Sequence, residues 1–255
     1  MVRGLWLAMA YNRGMTGKGI YVGTSGWTYD DWTGPFYPED VKGAERLSFY
    51  ATKFDTVEVN ATFYRNPAPT AIKAWNTRLG PDFHLVVKGS RAVTHLKKIK
   101  DCGGHLKACL SRVLQLKRLR VILWQLPPSL HKDVERLDRF LSMLPGTVRY
   151  AVEFRHESWW DDEVAATLER HGAAFAAISH PSLPDVVRPT ADFLYVRFHG
   201  LERELYRHDY RRDELEAWAS RLKPHLAGRT LYAFFNNDYN ANAPRNAATF
   251  RELLG

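Results

Sequence analysis

Charged and amide side chains stand at the ends of several short apolar runs in this sequence. After one run, Glu58 and Asn60 alternate with two valines, and after another the same spacing pairs Glu153 with Arg155. Because side chains two positions apart in a β-strand point to the same face, each pair shares one face of its strand. Carboxylates can act as general acids and bases, and cations can hold negative charge on a substrate. These pairs therefore indicate acid–base chemistry on an anionic or polyhydroxy molecule.

Other apolar runs also end in polar residues. We interpret Glu58, Glu153, Lys88 and His199 as candidate catalytic residues. The candidate substrate-binding residues at these run ends are Asn60, Gln125, Arg155, Arg197, Asn236, Asn237 and Asp238. Lys88 could anchor a phosphate or carboxylate or, if desolvated, form a Schiff base, and we favour anion binding or ion pairing.

Aromatic residues follow three of the runs. They are Trp27, Trp32, Tyr64 and Trp159. Aromatic rings at the rim of a pocket can stack on a sugar or a base, and they can equally well cap a hydrophobic core. We include Trp27, Tyr64 and Trp159 among the candidate substrate-binding residues.

The two glutamates leave several chemistries open. Glu58 and Glu153 could be the acid and base of a hydrolysis, and with His199 and Asp238 they could hold a divalent metal. The nearby lysine and arginines would repel a cation, so we expect no metal and no cofactor. A third interpretation is purely structural, with the charges pairing with one another in a buried layer.

The apolar runs themselves are rich in Val, Ile, Phe and Tyr, as buried parallel strands are. The predicted strands are Ile20–Thr24, Thr56–Asn60, Phe83–Lys88, Arg120–Gln125, Arg149–Phe154, Ala173–Ile178, Phe193–Phe198 and Thr230–Phe235. The predicted helices between them are Val41–Lys53, Pro67–Arg78, His105–Lys117, Lys132–Met143, Asp161–His171, Arg212–Leu226 and Pro244–Leu254. The connection from Ser179 to Asp192 carries three prolines and is predicted to be a loop, so the helix between the sixth and seventh strands is reduced or absent.

This alternation predicts an α/β fold, a single (β/α)8 TIM-type barrel that spans residues 20–255. An open doubly wound sheet fits less well because no Gly-rich phosphate loop follows any strand. In a barrel the polar run ends all point into the C-terminal mouth, where barrel enzymes place their chemistry. We therefore expect the charged residues at these ends to line one cavity, namely Glu58, Lys88, Glu153, Arg155, Arg197 and His199.

The net charge and the N-terminal residues indicate which partners and which cellular compartment to expect. The 255 residues carry a formal net charge of +8, which favours anionic partners. We expect a small anionic or polyhydroxy ligand. Nucleic acid is an alternative partner, through the basic, tyrosine-containing loop around Arg207, and we expect no membrane association.

Residues 1–19 form an extension without a secretory signal or a membrane span. Met15 is an alternative start to Met1, and we expect a cytoplasmic protein. The sequence does not indicate the oligomeric state.

Several motifs in chain order resemble one family. They are Gly23-Thr24-Ser25-Gly26-Trp27, Phe36-Tyr37-Pro38, Val57-Glu58-Val59-Asn60 followed by Phe63-Tyr64, Gln125-Leu126-Pro127-Pro128, Glu153-Phe154-Arg155-His156, Tyr195-Val196-Arg197-Phe198-His199-Gly200 and Phe235-Asn236-Asn237-Asp238. Together they are similar to the YecE-like family, domain of unknown function 72, from Ile20 to the C-terminus. The resemblance implies a (β/α)8 barrel and no particular activity, and the extension before Gly19 departs from the family pattern.

Three functions therefore remain open. The first is an enzyme with hydrolytic or other acid–base chemistry, in which Glu58 or Glu153 is the general base and His199 exchanges protons. The second is a protein that binds or processes nucleic acid, and the third is a non-catalytic binder of a phosphorylated metabolite.

Overall fold

The computed structural model describes residues 19–202 and 204–255, so the predicted extension lies almost entirely outside the described residues. The described chain is an α/β fold in which every paired strand is parallel to its neighbours. The strands are β1 (Ile20–Thr24), β2 (Thr56–Val59), β3 (His84–Lys88), β4 (Leu119–Gln125), β5 (Arg149–Glu153), β6 (Ala174–Phe175), β7 (Ala177–Ser179), β8 (Phe193–Phe198) and β9 (Thr230–Phe235).

These strands form two sheets. One sheet has the order β2-β3-β4-β5-β6 and the other has the order β1-β9-β8-β7. The sheets meet at Ala176, which separates β6 from β7 and whose amide donates to the Val152 carbonyl at 2.9 Å. They also meet through an isolated parallel bridge between Ser25 and Glu58, just after β1 and within β2.

Helices follow most of the strands. They are α1 (Arg46–Tyr50), α2 (Ala61–Tyr64), α3 (Pro69–Arg78), α4 (Gly103–Val113), α5 (Val134–Ser142), α6 (Asp162–Arg170), α7 (Arg212–Leu222) and α8 (Asn242–Leu254). None of these helices is long and apolar enough to cross a membrane. Residues 180–192 contain no helix, which confirms the predicted loop between the sixth and seventh strand positions.

Alternation along the strands sorts the apolar side chains into two packed groups. In β8, Val196 and Phe198 belong to the large group that packs with the helices, whereas Phe193 and Tyr195 belong to a smaller group on the opposite face of the strands. Arg197 has the same parity as Phe193 and Tyr195, so it lies on the face turned away from the helices. The predicted assignment of Arg197 to this face is confirmed.

Several predicted boundaries are wrong. The helix predicted for Val41–Lys53 is helical only over α1, because Gly43 and its neighbours form turns and the helix start has no side-chain cap. The sixth strand is interrupted at Ala176, where pairing passes from one sheet to the other. The short elements that were not predicted include α2, a π-helical turn at Ala92–Leu96 and 3-10 helical turns such as Asp30–Trp32.

Candidate functional site

A buried arginine at the end of β8 connects the two sheets. Arg197 donates from Nη2 to Oε1 of Glu58 at 2.7 Å and from Nη1 to Oε2 of Glu153 at 2.6 Å. The side chains of all three residues are fully buried. Glu58 also accepts hydrogen bonds from Ser25 Oγ at 2.8 Å and from the hydroxyl of Tyr195. Both oxygens of Glu58 are therefore occupied by groups of the protein.

Glu153 is surrounded in the same way. Its Oε1 accepts from Nε of Arg155 and lies 3.5 Å from Nε2 of His199. The same His199 nitrogen is 2.9 Å from Nη2 of Arg155. The Arg155 side chain is 10% exposed, and so it is the part of this network nearest to solvent. We call Glu58, Glu153, Arg155, Arg197 and His199 the ionic network.

The network fixes the charges of its members. Burial alone would raise the pKa of Glu153, but Arg155 and Arg197 outweigh it and hold that pKa well below its ordinary value. Burial, reinforced by Arg155, lowers the pKa of His199 well below its ordinary value, so its imidazole is neutral at pH 7. Burial would lower the pKa of Arg197, but the two glutamates raise it. The ionic network thus holds two carboxylates, two guanidiniums and a neutral imidazole, with no net charge.

Lys88 lies at the end of β3, beside this network. Its Nζ lies 4.3 Å from the ring centroid of Phe63 and has no hydrogen bond or ion pair to any residue in the described part of the chain. Burial, together with the charge of Arg197, lowers its pKa to about 7. The Thr62 hydroxyl of α2 lies 2.7 Å from the Lys88 carbonyl and 2.7 Å from the Val59 carbonyl, so its one hydrogen is shared between β3 and β2. Lys88 is therefore a partly buried amine without a carboxylate partner.

Amide side chains connect His199 to the neighbouring strands. Asn236 places Nδ2 3.2 Å from Nδ1 of His199, and Asn60 donates to Asn236 at 3.4 Å and to the Ser25 carbonyl at 3.3 Å. The Oδ1 atom of Asn60 is buried and has no hydrogen-bond partner in the described chain. Gln125 pairs in register with Glu153 and is partly exposed. The structure thus brings the predicted residues from β2, β3, β4, β5, β8 and β9 together.

One expectation about this cluster is wrong. Glu58, Glu153, Arg197 and His199 are fully buried and therefore do not line an open cavity. The reason is that the charges satisfy one another, and Tyr195 and Ser25 fill the remaining hydrogen-bonding positions. The partly exposed groups at this end of the strands are Asn60, Lys88, Gln125, Arg155 and Asn236.

Other predicted residues lie away from the cluster. Trp159 is fully buried, stacks on Phe154 at a centroid distance of 4.6 Å and donates to a backbone carbonyl, so it is part of the core. Trp27 is buried and packs edge-on against Trp75. Tyr64, in contrast, is 69% exposed.

The two residues after Asn236 make their hydrogen bonds outside the ionic network. Asn237 is buried and donates to the His208 carbonyl and to Asn246, each at 2.7 Å, because it alternates to the face opposite Asn236. The Asp238 carbonyl accepts from the indole of Trp32 at 2.7 Å. Burial raises the pKa of Asp238.

Two members of the cluster were missed from the sequence. Tyr195 and Ser25 both donate to Glu58. Tyr195 stands two positions before Arg197, so the alternation used for the charged residues would have placed it on the same face. Ser25 follows β1 directly, and only its position at a strand end marks it.

The basic loop considered for nucleic acid is largely neutralised by its own acids. Arg207 lies 3.3 Å from Glu204 and over the ring of Tyr239. Arg211 contacts two acids of α7, and Arg212 lies 3.0 Å from Glu216. Arg203 is outside the described residues. Within residues 19–202 and 204–255, no group of three or more histidine, cysteine or acidic side chains is arranged to hold a metal ion.

The chain matches the family described as "Protein of unknown function DUF72" over residues 21–255. It belongs to the DUF72 family. Among curated relatives it is 29% identical to UPF0759 protein YecE of Escherichia coli (strain K12), covering 92% of each chain. It is 24% identical to UPF0759 protein YunF of Bacillus subtilis (strain 168), covering 92% of this chain and 94% of YunF.

Solved structures show the same fold in other DUF72 proteins. The crystal structure of a DUF72 family protein from Thermotoga maritima, TM1631, superposes with a TM-score of 0.80 at 31% identity and covers 92% of this chain and 99% of that chain. A DUF72 family protein from Enterococcus faecalis, EF0366, has a TM-score of 0.77 at 16% identity and covers 92% and 95% of the two chains. The similarity to the second protein is one of fold alone.

Proposed function

We propose that the two sheets form one (β/α)8 barrel with the ionic network at its C-terminal mouth. Two contacts between the sheets support this. Ala176, which separates β6 from β7, donates to the Val152 carbonyl, and Ser25 forms a parallel bridge with Glu58. Arg197 adds an ionic connection between the sheets. Active sites of such barrels lie at this end, on the loops that follow the strands.

We propose further that the protein is an enzyme that performs an acid–base step on an anionic, phosphate-bearing small molecule at this mouth. The observation that carries the proposal is the unpaired amine of Lys88 beside a network that is already neutral. A neutral layer leaves the charge of Lys88 uncompensated, and so the mouth has a net attraction for an anion. Arg155, which is partly exposed, adds a guanidinium donor at the same place, although Glu153 compensates its charge.

The buried glutamates are poorly suited to act as the general base. Each carboxylate already accepts from a buried arginine, and a general base must reach the proton that it removes. Glu58 and Glu153 therefore hold Arg197 and Arg155 in position. Lys88, with a pKa of about 7, is the group that can both accept and return a proton near neutral pH.

Anion binding can be tested with inorganic phosphate as the probe. Phosphate should raise the melting temperature of the wild-type protein, because a ligand that binds only the native state stabilises it by mass action. Arg155→Met and Lys88→Met should each reduce this shift at least several-fold. Arg139→Met is the matched control, since Arg139 lies on α5, is 68% exposed and pairs only with Glu135 within the described chain. Equal shifts in all four proteins would contradict an anion site at the mouth.

The catalytic part of the proposal needs a separate measurement. Incubation with a panel of sugar phosphates, followed by mass spectrometry of the products, should show conversion by the wild-type protein and by Arg139→Met. Conversion should be lost in Lys88→Met. Phosphate binding without conversion of any phosphorylated compound would favour the non-catalytic binder instead.

A further inference from the structure

The surroundings of Lys88 suit a nucleophile as well as a base. A lysine that forms a covalent bond with a carbonyl needs a neutral amine, free access to the ligand and a backbone that does not move. Lys88 has no hydrogen-bond acceptor or ion-pair partner among the residues that the structure describes, so its lone pair is free when the amine loses its proton. Its side chain is partly exposed at the mouth.

The backbone at Lys88 is held from two sides. The Thr62 hydroxyl lies 2.7 Å from its carbonyl and at the same distance from the Val59 carbonyl. The next residue, Gly89, packs so closely that a Cβ atom there would lie 2.2 Å from two ring atoms of Trp124. The end of β3 is therefore fixed against β4, and the amine starts from a defined position.

Burial is the main cause that favours the neutral form of the amine, and the charged groups around it act in both directions. Arg197 and Arg155 disfavour a further positive charge, whereas Glu153 and Glu58 act in the opposite direction but are already paired with those arginines. His95, from the π-helical turn, packs edge-on against Phe63, and the two ring centroids lie 4.8 Å apart. Burial and the charge of Lys88 lower the pKa of His95 to about 4, so it is neutral at pH 7 and adds no charge.

We propose that Lys88 forms a Schiff base with an aldehyde or ketone that also carries a phosphate group, with Arg155 holding the phosphate. The proposal rests on the anion site described above and specifies its substrate class. The neutral Nζ attacks the carbonyl carbon, a C–N bond forms, and one Nζ proton passes to the carbonyl oxygen. The resulting carbinolamine loses its hydroxyl together with the second Nζ proton as water, which leaves the imine. No oxidant, reductant or further reactant is consumed.

Borohydride trapping tests the imine directly. The protein is incubated at pH 7 with glycolaldehyde phosphate, reduced with sodium borohydride and digested, and the modified lysine is identified by peptide mass spectrometry. Modification should concentrate at Lys88, at least tenfold above the exposed Lys107, because the pKa of Lys88 is about 7 and a large fraction of its amine is neutral at pH 7. The rate at Lys88 should level off above pH 8, where its amine is almost fully neutral.

Variants separate the imine from anion binding. Lys88→Arg keeps the positive charge and should bind inorganic phosphate within about threefold of wild type while forming no adduct at position 88. Lys107→Met, in the exposed part of α4, should leave trapping at Lys88 unchanged. The melting temperature of each variant shows whether it is folded.

Two results would overturn the proposal, and they differ in what they leave standing. Phosphate binding at the mouth with labelling of Lys88 no greater than that of Lys107 would refute the Schiff base and leave the anion site intact. Absence of both phosphate binding and selective labelling would refute the proposed function as well. Selective labelling that glycerol 3-phosphate, which has no carbonyl, suppresses by competition would support both.

Discussion

Replacement of Arg197 by methionine tests how much of the ionic network is structural. The guanidinium is fully buried and contacts one oxygen of each of two buried carboxylates. Methionine keeps most of the apolar volume and removes both ion pairs. Removal of one partner from a buried pair costs about 3–5 kcal/mol, because the remaining charge stays desolvated. Glu58 loses its only ion-pair partner among the described residues, so we expect a cost at the upper end of this range.

The same substitution should change the dependence of stability on pH. In the wild-type protein the pKa of Glu153 is held below its ordinary value, so its stabilising contribution is complete above about pH 4.5 and is lost as the pH falls through the lower native value. Without Arg197, only Arg155 and His199 oppose the effect of burial on Glu153, so the native Glu153 carboxyl binds a proton more readily. The difference in stability between Arg197→Met and wild type should therefore be largest near pH 7 and decrease towards pH 5.

Urea denaturation at pH 5, 6 and 7 measures both effects. Arg155→Met is the comparison, since Arg155 is partly exposed and Glu153 keeps its contact with Arg197 in that variant. We expect it to cost about 1–3 kcal/mol, the range for a hydrogen bond to a charged group. A cost below about 1 kcal/mol for Arg197→Met would refute the reasoning about the buried pairs. A cost for Arg155→Met equal to that for Arg197→Met would show that Arg155 is structural, and would weaken its proposed role in anion binding.

Three further substitutions address single contacts, each measured by denaturation. Lys88→Met should stabilise the protein most below pH 7. This gain in stability should decline by up to about 1.4 kcal/mol per pH unit between pH 7 and 10.5, because over that interval the lysine is protonated in the unfolded chain and neutral in the native protein. A gain independent of pH would contradict the lowered pKa. Gly89→Ala should cost about 1–3 kcal/mol, because the new Cβ overlaps Trp124, whereas Gly104→Ala, with no atom within 4 Å, should not destabilise. Thr190→Val should cost about 1–3 kcal/mol, since it removes a buried hydroxyl that donates to and accepts from the backbone around β6; a neutral result would contradict this.

Alternation within strands was sufficient to predict that Glu58, Glu153, Arg197 and His199 gather at one end of the sheets. Glu153 and His199 are 46 positions apart, yet their side chains lie 3.5 Å from each other, because the parity of each residue in its own strand fixes the face. The order of parallel strands then brings their carboxyl ends to one edge. Both rules are local or topological, and they do not depend on which charge pairs with which.

The same rules could not predict how the cluster is satisfied. Whether Glu58 is a free base or a buried ion depends on differences of less than 1 Å in the distances between side chains from the two sheets. No pattern within one strand encodes such differences. The role of Trp159 was open for a similar reason, since its burial depends on Phe154 and on a carbonyl 29 residues away. The pairing of Arg207 with Glu204 likewise appears only when the loop conformation is known.

The connection made by Arg197 has a consequence for how the chain acquires its structure. Glu58 and Glu153 lie in the five-stranded sheet, whereas Arg197 lies in the four-stranded sheet. If either sheet formed without the other, Glu58 and Arg197 would lack their ion pair, and burial of either charge by other contacts would cost several kcal/mol. We therefore expect neither sheet to be stable alone. The two sheets should gain and lose their structure in one cooperative transition, although the four-stranded sheet joins β1 to strands from the other end of the chain.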